Sequence, residues 1–291
     1  MEKISIVIPT LNRISLLKDT LKYLQKDFLK DYFDCLYILN TSKENLDVSK
    51  LIKYLPDNYK LINYYPYNLL ESKNNVLQLI KSKWVLILDD DLQFRDILKR
   101  FYSKIKKYNF DLGSGLLINK NFYKNPDLIH FVTYGRISFY GVPSLNYKRL
   151  SSNNPFKAHF LPGGFLLAKT NILKNLKYDT NFLLPFYGED TDITYRAYKK
   201  GKKLYVFKDI KAFHLQHQKG GVRQYIPLDE FFFNFGFNNS YFIFKHFGVY
   251  KYFLYLVFRF RDFAYVLKQF KLSVYKNFVM GIVYAYKKTR N

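Results

Sequence analysis

Apolar positions along the chain fall into two alternating patterns. Ile4 to Ile8 is a short apolar run closed by Pro9, which predicts a buried parallel strand. From Ile14 to Gln25, Leu17, Leu21 and Leu24 recur at helical spacing. Cys35 to Leu39 predicts a second strand and Tyr59 to Tyr64 a weaker third. Leu69 to Ile80 places Val76, Leu77 and Ile80 on one helical face. Trp84 to Leu88 is a fourth strand, and it runs straight into Asp89, Asp90 and Asp91. This alternation predicts an α/β domain with a mostly parallel sheet and helices on both faces. Ligands of such sheets sit outside the carboxyl ends of the strands, where the three aspartates fall.

The middle of the chain is less regular. Phe94 to Tyr108 predicts a helix and Leu112 to Ile118 a strand, and residues 119 to 158 read as loops over the active face. His159 to Ala168 holds a Gly-Gly bend before an apolar strand. Gly188, Glu189 and Asp190 open a helix from Thr191 to Lys200 that Gly201 ends, and Leu204 to Phe207 is a further strand. Near residue 230 the composition shifts. From Phe231 to Asn291 ten residues are Lys or Arg and only Asp262 is acidic, among many Phe and Tyr. Phe263, Leu267, Phe270, Val274 and Phe278 form a helical stripe, with Arg261, Lys268 and Lys276 on the other side. The expected organisation is a catalytic domain over residues 1–230 and a helical, basic, aromatic region over 231–291.

The chain has 291 residues, 48% of them apolar, enough to bury a substantial core. Its net charge of +24 points to an anionic partner, whether nucleic acid, membrane surface or phosphorylated substrate. Cys35 is the one cysteine, so an internal disulfide framework is excluded and a reducing compartment is expected. The opening residues hold only a five-residue apolar run, too short for a signal peptide, and no uncharged apolar stretch is long enough to span a bilayer.

Three adjacent carboxylates at a strand end repel one another, and a divalent cation removes the conflict. Oxygen ligands suit Mg²⁺ or Mn²⁺, completed by substrate phosphate oxygens. A solvated acidic turn would carry the same residues. Glu189, Asp190 and Asp192 form a second acidic cluster, suited either to a base acting on a hydroxyl or to complementing a helix dipole. His214 and His217 lie just beyond a strand, and one of them is expected as a ligand. Lys219, Gly220, Gly221 and Arg223 follow, a loop either cradling a diphosphate or simply flexible and basic.

These segments, in this order, resemble a family 2 glycosyltransferase of the GT-A fold. The resemblance rests on SIVIPTLNR, VLILDDD, GEDTDITYRAYKKGKKL and AFH, and covers roughly residues 3 to 223. It implies that Pro9, Thr10 and Asn12 line a nucleotide pocket and that Asp89 and Asp90 lie beside the donor. It further implies that Asp91, with Asp89 and His214, holds Mn²⁺ or Mg²⁺, and that Asp190 is the base of an inverting transfer, with Glu189 a second candidate. Two positions depart from the family pattern. Asn40 stands where an acidic residue usually contacts the nucleobase, and Lys73 where an arginine usually precedes the metal motif.

The implied activity is transfer of a sugar from a nucleotide-diphosphate donor, UDP-sugar favoured, to a hydroxyl of a glycan or lipid-linked glycan. A cytoplasmic location is expected, at the inner face of the cell membrane, with the tail making a peripheral anionic membrane contact or supporting a homo-oligomer. Two other classes fit parts of the chain. Nucleic-acid binding needs a contiguous basic groove, whereas here carboxylates cluster at the sheet edge, so no nucleic acid partner is expected. A nucleotidyltransferase would carry a Gly-rich basic loop after the first strand, which PTLNR is not.

Overall fold

The computed structural model describes residues 2–28, 31–64, 68–119, 135, 137, 155–184, 188–215, 226–267 and 272–290, with side chains at all of these except 119, 254–267, 272 and 273. The strands are β1 (Ile4–Thr10), β2 (Phe33–Asn40), β3 (Tyr59–Asn63), β4 (Trp84–Leu88), β5 (Leu92–Phe94), β6 (Leu112–Asn119), β7 (Phe156–Lys157), β8 (Phe165–Lys169) and β9 (Leu204–His214). The helices are α1 (Ile14–Leu24), α2 (Leu69–Leu79), α3 (Ile97–Lys107), α4 (Thr170–Leu176), α5 (Glu189–Lys199), α6 (Leu228–Leu267) and α7 (Leu272–Lys288).

One nine-stranded sheet runs in the order β3-β2-β1-β4-β8-β6-β9-β5, with β7 paired to β9. Its first half is parallel, because β1, β2, β3 and β4 are each linked by chain that crosses back over the sheet. The second half is mixed: β8 is antiparallel to both β4 and β6, β6 is parallel to β9, and β5 is antiparallel to β9. The sheet is therefore less uniformly parallel than the apolar runs predict. Trp84 to Leu88 is buried throughout, as a strand covered on both faces requires. Leu17, Leu21 and Leu24 of α1 are fully buried, so the predicted helical stripe is the one that packs.

Three segments differ from their sequence expectations. Helix α3 starts at Ile97 rather than Phe94, because Leu92–Phe94 is spent on pairing with Ala212–His214. Strand β9 extends to His214 instead of ending at Phe207, and its register with β6 slips between Gly115 and Leu116, so that residues 208–210 bulge out. Of the tail stripe, Phe263 and Leu267 fall at the end of α6 and Val274 and Phe278 in α7, while Phe270 and Lys268 lie outside the described residues. Val274 is buried and Phe278 packs on Gly236 and Phe235, so these two face inward.

Gly248, at φ 77° and ψ 175°, breaks α6 into two helical arms. Phe235 meets Phe278 and Phe244 meets Tyr286, so α7 runs parallel to the first arm. Phe237, Tyr241, Phe242 and Ile243 join the same apolar core as the sheet, which makes the first arm part of the wall around it. No helix among the described residues is long and apolar enough to cross a membrane.

Candidate active site

The carboxyl ends of β1, β2 and β4 meet at one edge. Asp89, Asp90 and Asp91 follow β4, and three local devices fix them there. The Asp89 amide donates to Gly164 O (3.0 Å) on the strand-side loop before β8. The Thr20 hydroxyl of α1 donates to Asp90 O (2.8 Å). The Leu215 amide donates to Asp91 O (3.1 Å), which binds the end of β9 to the triplet. Because Leu92 pairs with His214, the histidine is delivered beside the aspartates by strand register.

His214 Nε2 lies 2.9 Å from Asp91 Oδ1 and 3.8 Å from Asp89 Oδ2. Ligand atoms of Asp89, Asp91 and His214 all fall within 4.8 Å of one another. Partial burial and the Asp91 charge raise the Asp89 carboxyl above its usual range, against the pull of His214. Two carboxylate oxygens and one imidazole nitrogen in a partly desolvated corner are a donor set that suits a divalent cation. The residues present therefore fit the ion that the resemblance implies. His217 and the basic glycine loop at 219–223 lie outside the described residues.

Asp90 points a different way. It accepts from the Thr10 hydroxyl (2.6 Å) and from Arg13 (3.3 Å), and burial pushes its carboxyl up to about 7, only partly offset by Arg13. Arg13 also stands 3.6 Å from Asp91. Thus Arg13, which the motif reading passes over, is the cation that ties the first loop to the triplet. Asn12 adopts a left-handed φ of 54° and its amide donates to Ser42 Oγ (2.8 Å), while Pro9 lies at the parallel register with Leu39. Asn40 is fully buried. Its Nδ2 donates to Glu44 O and Asn63 Oδ1 (both 2.9 Å), and its Oδ1 accepts from the Ser42 amide. Both amide hydrogens are thereby spent on holding the turn after β2.

The second acidic cluster faces the first across the Gly163-Gly164 bend. A Cβ on Gly163 would fall within the Asp190 carboxylate, and one on Gly164 would fall against Asp89. Beneath them lies Lys73 of α2, 6% exposed, with Nζ 3.8 Å from Asp190 Oδ1 and 4.9 Å above the Tyr178 ring. Burial alone would favour a neutral amine. The carboxylates of Asp190, Glu189 and Asp89 outweigh it and hold Lys73 charged. Burial and the adjacent Asp190 push Glu189 well above the usual carboxylate range. Asp190 keeps 25% of its side chain exposed at the head of α5.

A mixed sheet with a carboxylate–histidine cluster at its parallel edge and a second acidic pair opposite is the architecture of GT-A glycosyltransferases. The family model for glycosyl transferase family 2 matches residues 5–177, and the chain belongs to that family. It is similar to the GalNAc(5)-diNAcBac-PP-undecaprenol beta-1,3-glucosyltransferase of Campylobacter jejuni subsp. jejuni serotype O:2, at 24% identity over 75% of this chain and 66% of that protein. Among solved structures, S. aureus TarS 1-349 in complex with UDP-GlcNAc superposes with a TM-score of 0.63 at 17% identity, covering 96% of this chain and 79% of that one. GalNAc-T7 with UDP, GalNAc and Mn²⁺ superposes with a TM-score of 0.58 at 16% identity, covering 84% of this chain and 50% of that one. The chain thus spans about two thirds of the curated relative and half of the GalNAc-T7 structure.

Proposed function

We propose that this protein is an inverting, metal-dependent glycosyltransferase that moves a sugar from a UDP-sugar to a hydroxyl of a glycan or lipid-linked glycan. The observation that carries the reading is the pairing of two sites across Gly163-Gly164: the Asp89, Asp91 and His214 cluster on one side, and Asp190 above Lys73 on the other. A bound divalent cation would neutralise the diphosphate leaving group. The imidazole ligand favours Mn²⁺ over Mg²⁺, since nitrogen donors bind transition metals better.

Asp190 takes the proton of the acceptor hydroxyl as its oxygen bonds to the anomeric carbon. The bond from that carbon to the diphosphate oxygen breaks, and the diphosphate departs with the electron pair. One base suffices, and no protein nucleophile is required. Glu189 suits the base role less well, because a carboxyl pushed toward its neutral form has no lone charge to accept a proton. Lys73 Nζ lies 3.8 Å from Asp190 Oδ1, a cation directly beneath the base. UDP-sugar and Mn²⁺ in the named complexes of the structural relatives support the donor and ion, and the diphosphate-undecaprenol of the C. jejuni relative's name supports a lipid-linked acceptor. The test is release of UDP, GDP or dTDP from a panel of nucleotide sugars with Mn²⁺. UDP release alone is expected, and turnover of GDP- or dTDP-sugars instead would overturn the donor assignment.

The tail fits docking on an anionic membrane. With Val274 and Phe278 turned inward and Tyr284 packed at the flank against Phe233 and Phe237, the outward face of α7 carries Val279, Met280 and Val283, each about half exposed. Lys276 stands at one end of this row and Lys287, Lys288 and Arg290 at the other, all exposed. An apolar row flanked by cations suits a helix lying in the headgroup region, each basic residue contributing on the order of 1 kcal/mol.

A further inference from the structure

Asp192 of α5 is fully buried, two residues beyond Asp190, and two cations and a buried histidine, whose own pKa burial lowers, converge on it. Arg196 Nε lies 2.7 Å from Oδ2, and Lys245 Nζ and His246 Nε2 each lie 2.8 Å from Oδ1. Burial would raise this carboxyl, yet His246, Arg196 and Lys245 bring it down to about 2. Such a carboxylate stays ionised and bonded throughout the neutral range. Arg196 acts within α5, donating also to Leu176 O and Lys177 O (both 2.6 Å). Lys245 and His246 come from α6, more than fifty residues away in sequence.

The same arm of α6 grips the chain leading into α5. Lys245 Nζ reaches Asp179 Oδ2 (2.7 Å), and Tyr241 donates to the same oxygen (2.9 Å). The buried Asn238 side chain accepts from the Leu183 amide (2.8 Å) and donates to Leu183 O (2.7 Å). Tyr178, the ring beneath Lys73, is the residue before Asp179. Both supports of the acidic pair, the start of α5 and the Tyr178–Lys73 floor, are therefore fastened to α6 through Lys245. None of these bonds touches the Asp89–Asp91 side.

We propose that Lys245 and His246 are positioning residues for the transfer reaction, setting Asp190 against the acceptor through the buried Asp192 while leaving donor binding to the other half of the site. The proposal rests on Asp190 being the base. A fixed α5 holds that carboxylate to a fraction of an ångström, and a displacement of about 1 Å costs on the order of 100-fold in rate.

Steady-state kinetics on the full chain test this, with UDP-glucose and UDP-N-acetylglucosamine as donors, Mn²⁺ present and UDP release as readout. Lys245→Met is expected to lower kcat at least tenfold with the donor KM within twofold of wild type, and Lys245→Arg to recover most of the rate. In an Asp190→Asn background Lys245→Met is expected to change the residual rate less than twofold, since no base remains to misplace. His246→Leu is the second route if Lys245→Met does not fold, with the same kcat-only loss. A folded Lys245→Met with wild-type kcat, kcat and donor KM moving together, or an undiminished loss in the Asp190→Asn background would each overturn the positioning role. A wild-type rate for Asp190→Asn alone would strike the base assignment itself, a failure visible before any Lys245 variant is made.

Discussion

Gly163 lies so close to Asp190 that a methyl group on its Cα would overlap the carboxylate. The glycine is required by contact rather than by a special backbone angle. Gly163→Ala should therefore displace Asp190 and lower kcat by about 100-fold. Far-UV circular dichroism should be unchanged, because the methyl faces the site and leaves the β8 ladder intact. Wild-type turnover of Gly163→Ala would show that the carboxylate is free to move aside.

Asp190→Asn should reduce turnover by about 10²–10⁴-fold, the usual worth of a general base, with UDP affinity within a few-fold of wild type. Glu189→Gln replaces a carboxyl already held toward neutrality and should cost less. Single-turnover rates with matched UDP titrations check both. A larger loss in Glu189→Gln would exchange the two roles.

Much of this site is legible in the sequence, and what is not has a physical reason. The strand before Asp89, the helix after Gly188 and the histidine near residue 214 follow from periodicity and turn residues, which are local. Three-residue β5 is too short to show a period, so its pairing, which delivers His214, appears only in the structure. Arg13 reads as the end of a motif, and its reach to Asp90 and Asp91 depends on how β1 and β4 pair. Asp192 reads as ordinary helix-dipole complementation, because its partners Lys245 and His246 come from a distant helix. The Gly-Gly bend is visible at once, but the carboxylates that forbid a side chain there are not.

Away from the site, Asp27 carries a pH signature. It lies in the turn after α1, buried beside the first turn of α3, and desolvation raises its carboxyl to about 6, only partly offset by the nearby backbone amides of Leu98, Ile97 and Lys99. A raised folded-state value means that its stabilising contribution is full below the unfolded value near 4 and is lost as pH rises through about 6. The cost at neutral pH is roughly 3 kcal/mol. Asp27→Asn keeps an acceptor for the amides and removes the charge. Urea unfolding should show it more stable than wild type at pH 7 to 8, with the difference closing toward pH 4. Equal stability across that range would contradict the assignment.

The outward face of α7 should bind phosphatidylglycerol vesicles in a salt-sensitive way. Replacing Val279 and Val283 with Ser should weaken co-sedimentation several-fold without altering UDP turnover on a soluble acceptor. An intact protein that ignores these vesicles at low salt would leave α7 without a membrane role.

The most direct test of the account is the affinity for UDP measured by calorimetry with Mn²⁺ and again after exhaustive chelation. If Asp89, Asp91 and His214 hold the ion that receives the diphosphate, Mn²⁺ should tighten UDP binding at least tenfold in the wild type. Asp91→Asn should abolish that gain, since an amide is a neutral and weaker ligand. UDP binding of equal strength with and without Mn²⁺, in a protein that still turns over a UDP-sugar after chelation, would contradict the metal site on which the proposed mechanism depends.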